Sequence, residues 1–411
     1  MVPNGWNFKT LDELAIVERG KFSARPRNDP RYYGGSIPFV QTGDIASSKT
    51  YLTDYSQTLN EEGLKVSKLF PKNTILITIA ANIGDTAITS FDVACPDSLV
   101  AIQPVAEKAD TYWLKKILET RKTELDGQAT QNAQKNINLQ VLKPLNILTP
   151  PIEEQRKIAK ILSTWDKAIS TTECLIDNSK QQKKALMQQL LTGKKRLLDD
   201  SGKPFEGEWV WSNLDTVCDV KGGKRLPKGN SLTEIPNNHP YIRVADMYMG
   251  GVDTTNILYV PLDIVSSIKN YTIAKDDLFI TVAGTLGIVG EVPAILDGAN
   301  LTENADKLTN ISCNKKFLLY VLKSPIIQRY VDAESTQNAQ PKLALTRIRS
   351  FKIPLPSSEE QQRIATVLTN PDKEIELLEQ QLADLKQEKK ALMQQLLTGK
   401  RRVKIDDKES A

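Results

Sequence analysis

Basic side chains gather in two short, glycine-containing loops of this sequence. In the first loop only Glu18 and Asp29 oppose the positive charge, and Tyr32 and Tyr33 follow it. The second loop has no acidic residue between positions 221 and 228. Ammonium and guanidinium groups suit contact with nucleic-acid phosphates, and arginine also suits a bidentate contact with guanine. The basic residues of the two loops are Arg19, Lys21, Arg25, Arg27, Arg31, Lys221, Lys224, Arg225 and Lys228.

A charged run can also be no more than a solvated face, so two interpretations of the loops remain open. The occurrence of two such runs at equivalent places in otherwise divergent segments favours nucleic acid. Arg243, in a predicted strand, joins the candidate DNA-contacting residues.

The segment Thr-Gln-Asn-Ala-Gln, at 130–134 and again at 336–340, is a second candidate. Glutamine and asparagine can read adenine bidentately. They can equally close turns or bridge domains through backbone hydrogen bonds, and both interpretations stay open. The residues concerned are Gln131, Asn132, Gln337 and Asn338.

Catalytic chemistry is hard to find in this chain. Its four cysteines form no CxxC pair, and a single histidine, His239, leaves little room for His-based metal or triad chemistry. No GxxxxGK[ST] loop is present, and the glycines from Gly284 to Gly290 fit a tight β-turn better than a phosphate loop. Pro96-Asp97 lacks the Glu-x-Lys expected of a nuclease, and the region aligned with it, 300–307, lacks the pair. We therefore expect no catalytic residue, no metal and no cofactor on this chain.

The segments that must position the loops occur twice in the sequence. The segment KKALMQQLLTGK at 183–194 recurs letter for letter at 389–400, and Glu-Glu-Gln at 153–155 recurs at 359–361. Both repeats, like Thr-Gln-Asn-Ala-Gln, are 206 positions apart. Upstream the match is weaker and the offset falls to about 203, as between Trp6 and Trp209 or Gly20 and Gly223. The chain is a tandem duplication whose framework was kept while its loops diverged.

Two long helices are predicted, at 152–192 and 358–398, each with a narrow apolar stripe of heptad type. A stripe so thin needs another helix as its partner, so we predict an antiparallel coiled coil; ordinary amphipathic core helices are the alternative. Pro371 predicts a kink or break in the second helix, and Ser357 with Glu360 predicts a capping box. The predicted seam residues are Ile158, Leu162, Ile169, Ile176, Leu186, Leu190, Ile364, Leu368, Ile375, Leu378, Leu382, Leu385, Leu392 and Leu396.

The remaining segments mix short β-like runs with helical patterns and turn residues, which indicates α+β globes. The predicted order is a globe at 1–150, a long helix at 151–196, a linker at 197–208, a second globe at 209–356, a second long helix at 357–402 and a tail at 403–411. Two globes on an antiparallel helix pair give approximate two-fold symmetry within one chain. The absence of a signal-like N-terminus and of long apolar runs predicts a cytoplasmic protein.

The chain resembles the specificity (S) subunit of type I restriction–modification systems over its whole length. The resemblance lies in the two segments that lead into the long helices, QNAQKNINLQVLKPLNILTPPIEEQRKIAKIL and QNAQPKLALTRIRSFKIPLPSSEEQQRIATVL. It lies also in the helix exits KKALMQQLLTGKKR and KKALMQQLLTGKRR, and in the two divergent globes. The first copy has Thr-Pro-Pro at 149–151 where the second has Leu-Pro-Ser.

The resemblance implies a non-catalytic subunit in which each globe, as a target-recognition domain, reads half of a split double-stranded DNA target. It implies helices that hold the globes at a fixed distance, two methyltransferase subunits docked on this scaffold, and restriction/translocase subunits joined through them. S-adenosylmethionine, ATP and Mg²⁺ are then expected on the partner subunits only. Two other classes compete: a methyltransferase–endonuclease that is itself catalytic, which lacks the motifs, and a coiled-coil adaptor with two protein-binding modules.

Overall fold

The computed structural model describes residues 2–129, 136–335 and 342–405. Gln131, Asn132, Gln337 and Asn338 lie outside the described residues, so their predicted role stays a prediction. Among the residues that are described, no helix is both long and apolar enough to cross a membrane.

The chain divides into two compact units, and each contains one globe and parts of both long helices. Unit 1 comprises Met1–Glu173 and Gln380–Ala411, and unit 2 comprises Cys174–Glu379. Each globe therefore packs on the start of its own long helix and on the end of the other. The mixed helix and sheet content confirms the predicted α+β class.

Unit 1 is built on two mixed sheets and one antiparallel pair. A five-stranded sheet has the order β2-β10-β7-β8-β4, a four-stranded sheet has the order β5-β3-β9-β6, and β1 pairs with β11. The strands are β1 (Asn7–Thr10), β2 (Ala15–Arg19), β3 (Tyr33–Phe39), β4 (Tyr51–Leu52), β5 (Gln57–Leu59), β6 (Leu69–Phe70), β7 (Ile75–Thr78), β8 (Thr86–Thr89), β9 (Val93–Ala94), β10 (Leu99–Pro104) and β11 (Asn146–Thr149).

Short helices cover these sheets in unit 1. They are α1 (Leu11–Leu14), α2 (Thr42–Ser47), α3 (Glu61–Lys65), α4 (Thr111–Thr120), α5 (Lys122–Gln128) and α6 (Leu139–Leu142), with a 3-10 turn at Pro30–Tyr32. The main core joins Trp113 and Leu114 of α4 to Ile77 and to Leu162 and Leu396 of the long helices. The seam residues at these helix ends are thus buried in the globe's own core.

Unit 2 repeats this plan with shorter strands. Its four-stranded sheets have the orders β13-β22-β19-β20 and β17-β14-β21-β18, while β12 pairs with β23 and β15 with β16. The strands are β12 (Val210–Asn213), β13 (Asp219–Gly222), β14 (Pro240–Ile242), β15 (Met247–Tyr248), β16 (Gly251–Val252), β17 (Leu258–Tyr259), β18 (Thr272–Ile273), β19 (Leu278–Thr281), β20 (Val289–Glu291), β21 (Ala299–Leu301), β22 (Ala305–Thr309) and β23 (Lys352–Leu355).

Unit 2 has four short helices among its described residues. They are α8 (Val265–Ile268), α9 (Lys315–Lys323), α10 (Pro325–Ser335) and α11 (Leu345–Arg349), with 3-10 turns at Leu214–Thr216, Val244–Asp246 and Ala294–Leu296. Residues 282–288 connect β19 to β20, and Gly284 and Gly287 adopt φ of 77° and 75°. The prediction of a tight turn there is confirmed.

The two long helices have equal length. The first (α7, Ile152–Leu190) and the second (α12, Ser358–Leu396) each contain 39 residues. Ion pairs show their antiparallel direction within unit 1, where Lys386 meets Glu173 at 2.9 Å and Lys389 meets Asp166. Unit 2 has the same arrangement, with Lys180 2.7 Å from Glu379 and Lys183 paired with Asp372. All the predicted seam residues are buried or partly buried.

Two details differ from the sequence-based expectations. The helix α12 is not broken at Pro371 but continues through it. It tolerates the loss of the one backbone hydrogen bond that proline cannot donate. Ser357 does cap α12, its hydroxyl accepting from the Glu360 N–H at 3.2 Å, but the Glu360 carboxylate does not complete a capping box and binds elsewhere. The predicted linker contains a tight turn in which Asp199 N–H donates to the Lys203 carbonyl at 2.8 Å.

Asp306 on β22 gives unit 2 a pH-dependent stability. Burial raises the pKa of this carboxyl to about 6, against the opposing charges of Lys342 and Arg349. The folded protein therefore holds a proton that the unfolded chain has lost, and stability falls as the pH rises from about 4 to about 6. We expect Asp306→Asn to raise the free energy of unfolding by about 2–3 kcal/mol at pH 7.5 and to leave it unchanged near pH 4. Urea unfolding of both proteins across this pH range measures the difference, and a gap independent of pH would contradict the assignment.

Candidate nucleic-acid interface

Each basic loop begins at a glycine that lies against a turn of its own globe. Arg19 and Lys221, predicted to lie in the loops, are instead on the preceding strands β2 and β13. A Cβ on Gly20 would sit 2.2 Å from the Pro96 carbonyl oxygen, and one on Gly223 would sit 2.1 Å from the carbonyl oxygen of Thr302. No side chain fits at either contact. This close approach explains why glycine stands at the start of both loops.

Backbone hydrogen bonds show that the two turns are equivalent. Gly20 N–H donates to the Leu99 carbonyl at 2.9 Å, and Gly223 N–H donates to that of Ala305 at 3.1 Å. Asp97 and Glu303, each two residues before these acceptors, therefore occupy matching positions. The second globe lacks the Pro-Asp pair, but Thr302-Glu303 places a carboxylate at the equivalent position of its turn.

Both turn carboxylates pair with an arginine of the adjacent basic loop. Arg27 donates through Nη2 to the two carboxylate oxygens of Asp97, at 2.8 and 2.9 Å. Arg225 Nε lies 3.0 Å from Oε1 of Glu303. Each globe thus has a charge pair between its turn and its basic loop, although the two arginines do not align in the sequence repeat.

The other basic residues predicted for the first loop have different partners. Arg19 donates to the Asp97 carbonyl at 2.6 Å, and Arg25 donates to the Ala24 carbonyl at 2.7 Å. Arg31 pairs with Asp29 and lowers the pKa of that carboxyl. Lys21 is exposed. Guanidinium groups remain accessible along the whole loop.

The second loop is similarly exposed. Lys221 lies 3.2 Å from Asp219, and the Lys224 ammonium stands 5.5 Å from the ring centre of Tyr271. Lys228 is exposed at the turn that follows. The basic residues predicted for the two loops are therefore exposed on the surface of both globes.

A cavity of 420 Å³ opens beside Arg27 in the first globe. Three aromatic rings line it, with Phe22 and Phe39 4.9 Å apart between centroids. Gln41 donates to Gln57 at 3.1 Å. The lining residues are Phe22, Arg27, Asn28, Tyr33, Phe39, Gln41, Gln57 and Pro96.

Gln41 and Arg243 stand at equivalent places at the ends of the central strands β3 and β14. In each case the backbone N–H donates to an aspartate three residues later, Gln41 to Asp44 at 2.7 Å and Arg243 to Asp246 at 2.8 Å. The Arg243 guanidinium is held on Asp246 and on the Asn256 carbonyl. The two globes therefore carry a different polar side chain on the same backbone frame.

A buried carboxylate clamps the end of one long helix to the start of the other in each unit. In unit 2, Arg196 donates to Glu360 at 2.7 and 2.8 Å, and the Trp209 indole donates to the same carboxylate at 3.1 Å. Both glutamates of this kind, Glu154 and Glu360, are 1% exposed at the side chain.

Unit 1 has the same clamp. Arg402 donates to Glu154 at 2.7 and 2.8 Å, and the Trp6 indole donates to it at 3.0 Å. Arg402 also donates to the Asn4 carbonyl at 2.8 Å, as Arg196 does to that of Gly207 at 2.9 Å. The repeated Glu-Glu-Gln motif and the basic residues after the repeated TGK thus have a shared structural role.

A second clamp involves the repeated lysine. Tyr112 and Lys389 both bind Asp166 in unit 1, and Tyr320 and Lys183 both bind Asp372 in unit 2. Burial would raise the pKa of Asp166, but Lys116, Lys389 and Tyr112 outweigh it and hold the pKa well below its usual range. Nearby, burial lowers the pKa of Lys115 to about 8 against the opposing effect of Glu119. These ionised carboxylates fix each globe to its helices.

Sequence reasoning did not predict these clamps or the turn carboxylates. The offset of 206 between Glu154 and Glu360, and between Lys183 and Lys389, was the available signal for the clamps. Within the described ranges no group of His, Cys, Asp and Glu side chains converges to hold a metal ion.

Comparison with protein families gives two matches on this chain. The model of the type I restriction modification DNA specificity domain matches residues 3–178 and again residues 206–387. These matches span both globes and most of both long helices.

Curated relatives match nearly the full length. The type I restriction enzyme MjaVIII specificity subunit of Methanocaldococcus jannaschii is 24% identical, over 98% of this chain and 94% of the relative. The putative MjaX specificity subunit of the same organism is 27% identical over 98% and 95%. The EcoKI specificity subunit of Escherichia coli strain K12 is 22% identical over 88% and 81%.

Solved structures share the fold. The S subunit of a type I restriction–modification system from M. genitalium superimposes with a TM-score of 0.61, at 18% identity and over 99% of both chains. A chain from a study of complex assembly in a type I R-M system gives a TM-score of 0.58 at 18% identity, over 97% and 98%. The duplicated globe-and-helix plan is therefore an established fold.

Proposed function

The chain belongs to the family of type I restriction–modification DNA specificity subunits, and from this premise we propose that it selects the DNA sequence for such a complex. Each globe reads one half of a bipartite double-stranded target through its basic loop and the surface beside it. The chain itself performs recognition and no catalysis. The two long helices connect the reading modules.

The observation that carries this proposal is a backbone frame that the two globes share but that holds different polar side chains. Both loops start at a glycine packed on an equivalent turn, and both carry an arginine paired with the carboxylate of that turn. At the equivalent strand ends, however, one globe presents Gln41 and the other Arg243. Amide and guanidinium groups prefer different base edges, adenine and guanine respectively. Two modules of this kind suit an asymmetric target.

We further propose that methyltransferase subunits bind the repeated helical segments, one per unit. Grooves of 850 Å³ in unit 1 and 740 Å³ in unit 2 are lined by matching residues of the twelve-residue repeat. The matching residues are Lys183, Lys184 and Met187 in unit 2, and Lys389, Lys390 and Met393 in unit 1. Matching repeat residues in the two grooves suit two copies of one partner. S-adenosylmethionine, ATP and Mg²⁺ then belong to the methyltransferase and the restriction/translocase subunits.

Exchange of one globe tests the function directly. We expect that replacing residues 209–356 by the equivalent segment of a relative with a different target changes one half-site and leaves the other intact. The reason is that each loop and its turn lie within a single globe. Genome-wide sequencing of methylated adenines, in cells that also express the methyltransferase subunits, measures both half-sites.

The reciprocal exchange of the first globe is the matched control and should change the other half-site. If both half-sites changed together in each chimaera, independent reading would be wrong. If neither the chain nor its chimaeras directed methylation or protected DNA in a footprint, the adaptor alternative would hold instead.

A further inference from the structure

We propose that Arg27 and Arg225 are base-reading side chains, each directed at a guanine edge by a turn carboxylate, Asp97 and Glu303 respectively. This inference rests on the proposed DNA-reading function and assigns specificity within it. Asp97 and Glu303 are positioning residues, because they act on DNA through the arginines.

The geometry leaves suitable donors free. Arg27 uses only Nη2 to bind Asp97, and its Nε and Nη1 have no acceptor within the described parts of the chain. Those two nitrogens carry three N–H groups. Guanine offers two acceptors, O6 and N7, in the major groove, and arginine matches them bidentately. In Arg27 the Nε–H and Nη1–H groups point to different edges of the guanidinium, so Arg27 reaches a guanine acceptor through Nη1 alone. Arg225 lies against Glu303 through Nε and keeps the parallel N–H groups of Nη1 and Nη2 for a bidentate contact.

The adjacent carboxylate argues against phosphate as the main partner. A phosphate brought to Arg27 would also approach the negative charge of Asp97, whereas a base edge is neutral. The pairs are also too exposed to be explained by stability: the side chains of Arg27 and Asp97 are 48% and 40% exposed, and those of Arg225 and Glu303 are 76% and 28% exposed. Exposed ion pairs contribute little to folding. Holding a flexible arginine in one orientation does, however, reduce the entropy lost on binding.

The surroundings of Arg27 agree with base recognition. Asn28, Gln41 and Gln57 line the same cavity, and these amides are uncharged hydrogen-bonding groups. By contrast Lys21 and Lys228 are exposed and lie on the same loops, where an ammonium group suits phosphate contact. Each loop thus contains an arginine held beside a carboxylate and an exposed lysine suited to phosphate.

The recurrence of the pair is independent of the sequence repeat. Arg27 is seven residues after Gly20, but Arg225 is only two residues after Gly223. The arginines are therefore not aligned positions of the duplication. Both nevertheless reach the carboxylate of the equivalent turn, which indicates that the place of the guanidinium is what the two globes share.

Selection of bound duplexes from a random-sequence library tests the inference, with the full chain in complex with its methyltransferase subunits. We expect R27A to lower the preference for one G·C pair in one half-site by roughly 5- to 150-fold. D97N should weaken the same position by less, and R225A and E303Q should act on one position of the other half-site. The dependence of affinity on salt should keep its slope in all four variants.

Lys228→Ala is the matched control for a phosphate contact. It should weaken all sequences alike and reduce the slope of log affinity against log salt by about one. Arg27→Ala behaving like this control would overturn the inference, as would an unchanged base preference in R27A and R225A. A preference lost in R27A but untouched in D97N would remove the positioning role of the carboxylate. If the wild-type complex selected no bipartite sequence, the proposed function would fail first and the inference with it.

Discussion

Glu360→Ala should lower the free energy of unfolding of unit 2 by about 3 kcal/mol. Removal of this buried carboxylate leaves the Arg196 guanidinium without its bidentate partner and the Trp209 indole N–H without an acceptor. Loss of one member of a buried ion pair costs about 3–5 kcal/mol. The lower end applies here, because the Arg196 side chain is 23% exposed and water can reach it. Urea unfolding and hydrogen exchange resolved by peptide measure the change and locate it.

The chain supplies matched controls for this prediction. Glu359→Ala removes an exposed neighbour and should change stability by less than about 0.5 kcal/mol. Glu154→Ala removes the twin carboxylate and should lower protection in unit 1 by a smaller amount, because Arg402 is 42% exposed. A loss in E360A no larger than that in E359A would show that the clamp contributes nothing to folding.

The repeated sequence segments predicted the two long helices well. The heptad stripe placed both helices within about two residues of their observed ends, because a 3.6-residue periodicity over such a length has no other simple explanation. Gly193 and Gly399, which follow the two long helices, adopt φ of 70° and 69°, as expected of glycines after helix ends. The glycine turn between β19 and β20 followed from the same local rules.

Contacts distant in sequence could not be predicted in this way. The equivalence of Asp97 and Glu303 was missed because Gly20 and Gly223 are 203 positions apart, whereas the turn residues are 206 apart. An alignment at the first offset places Asp97 opposite Asn300. Only the backbone hydrogen bonds of Gly20 and Gly223 reveal the true match. Parallel pairing of β3 with β9, which is remote in the chain, likewise has no local signal.

Contacts distant in sequence also determine what buries the apolar seam of the two long helices. Heptad spacing predicted which side chains of α7 and α12 are covered but not what covers them. Ile158 and Leu162 are completely buried in the core of the first globe, and Leu368 lies in the core of the second. Ile169 and Leu382, towards the middle of their helices, are only partly buried. Tertiary packing on the globes supplies the rest of the burial at the helix ends.

Lengthening both long helices by four residues should lengthen the unread gap of the DNA target by about one or two base pairs. The insertions belong after Glu173 in α7 and after Glu379 in α12, where the two compact units divide. Both clamps of each unit then stay within their unit. Four residues add about 6 Å to each helix, and one base pair spans about 3.4 Å. We expect both half-sites to be read unchanged, with the original target no longer methylated.

Helical phase provides the control for this experiment. Four residues turn a helix by about 400°, so the apolar stripe returns to within about 40° of its place, whereas two residues turn it by about 200°. A two-residue insertion at the same points should therefore expose the stripe and abolish methylation, although it changes the length less. Methylation-site sequencing of the two insertion variants separates these effects. Full activity at the original gap in the four-residue variant would mean that the helices do not set the distance between half-sites, and equal lengths of α7 and α12 would then need another cause.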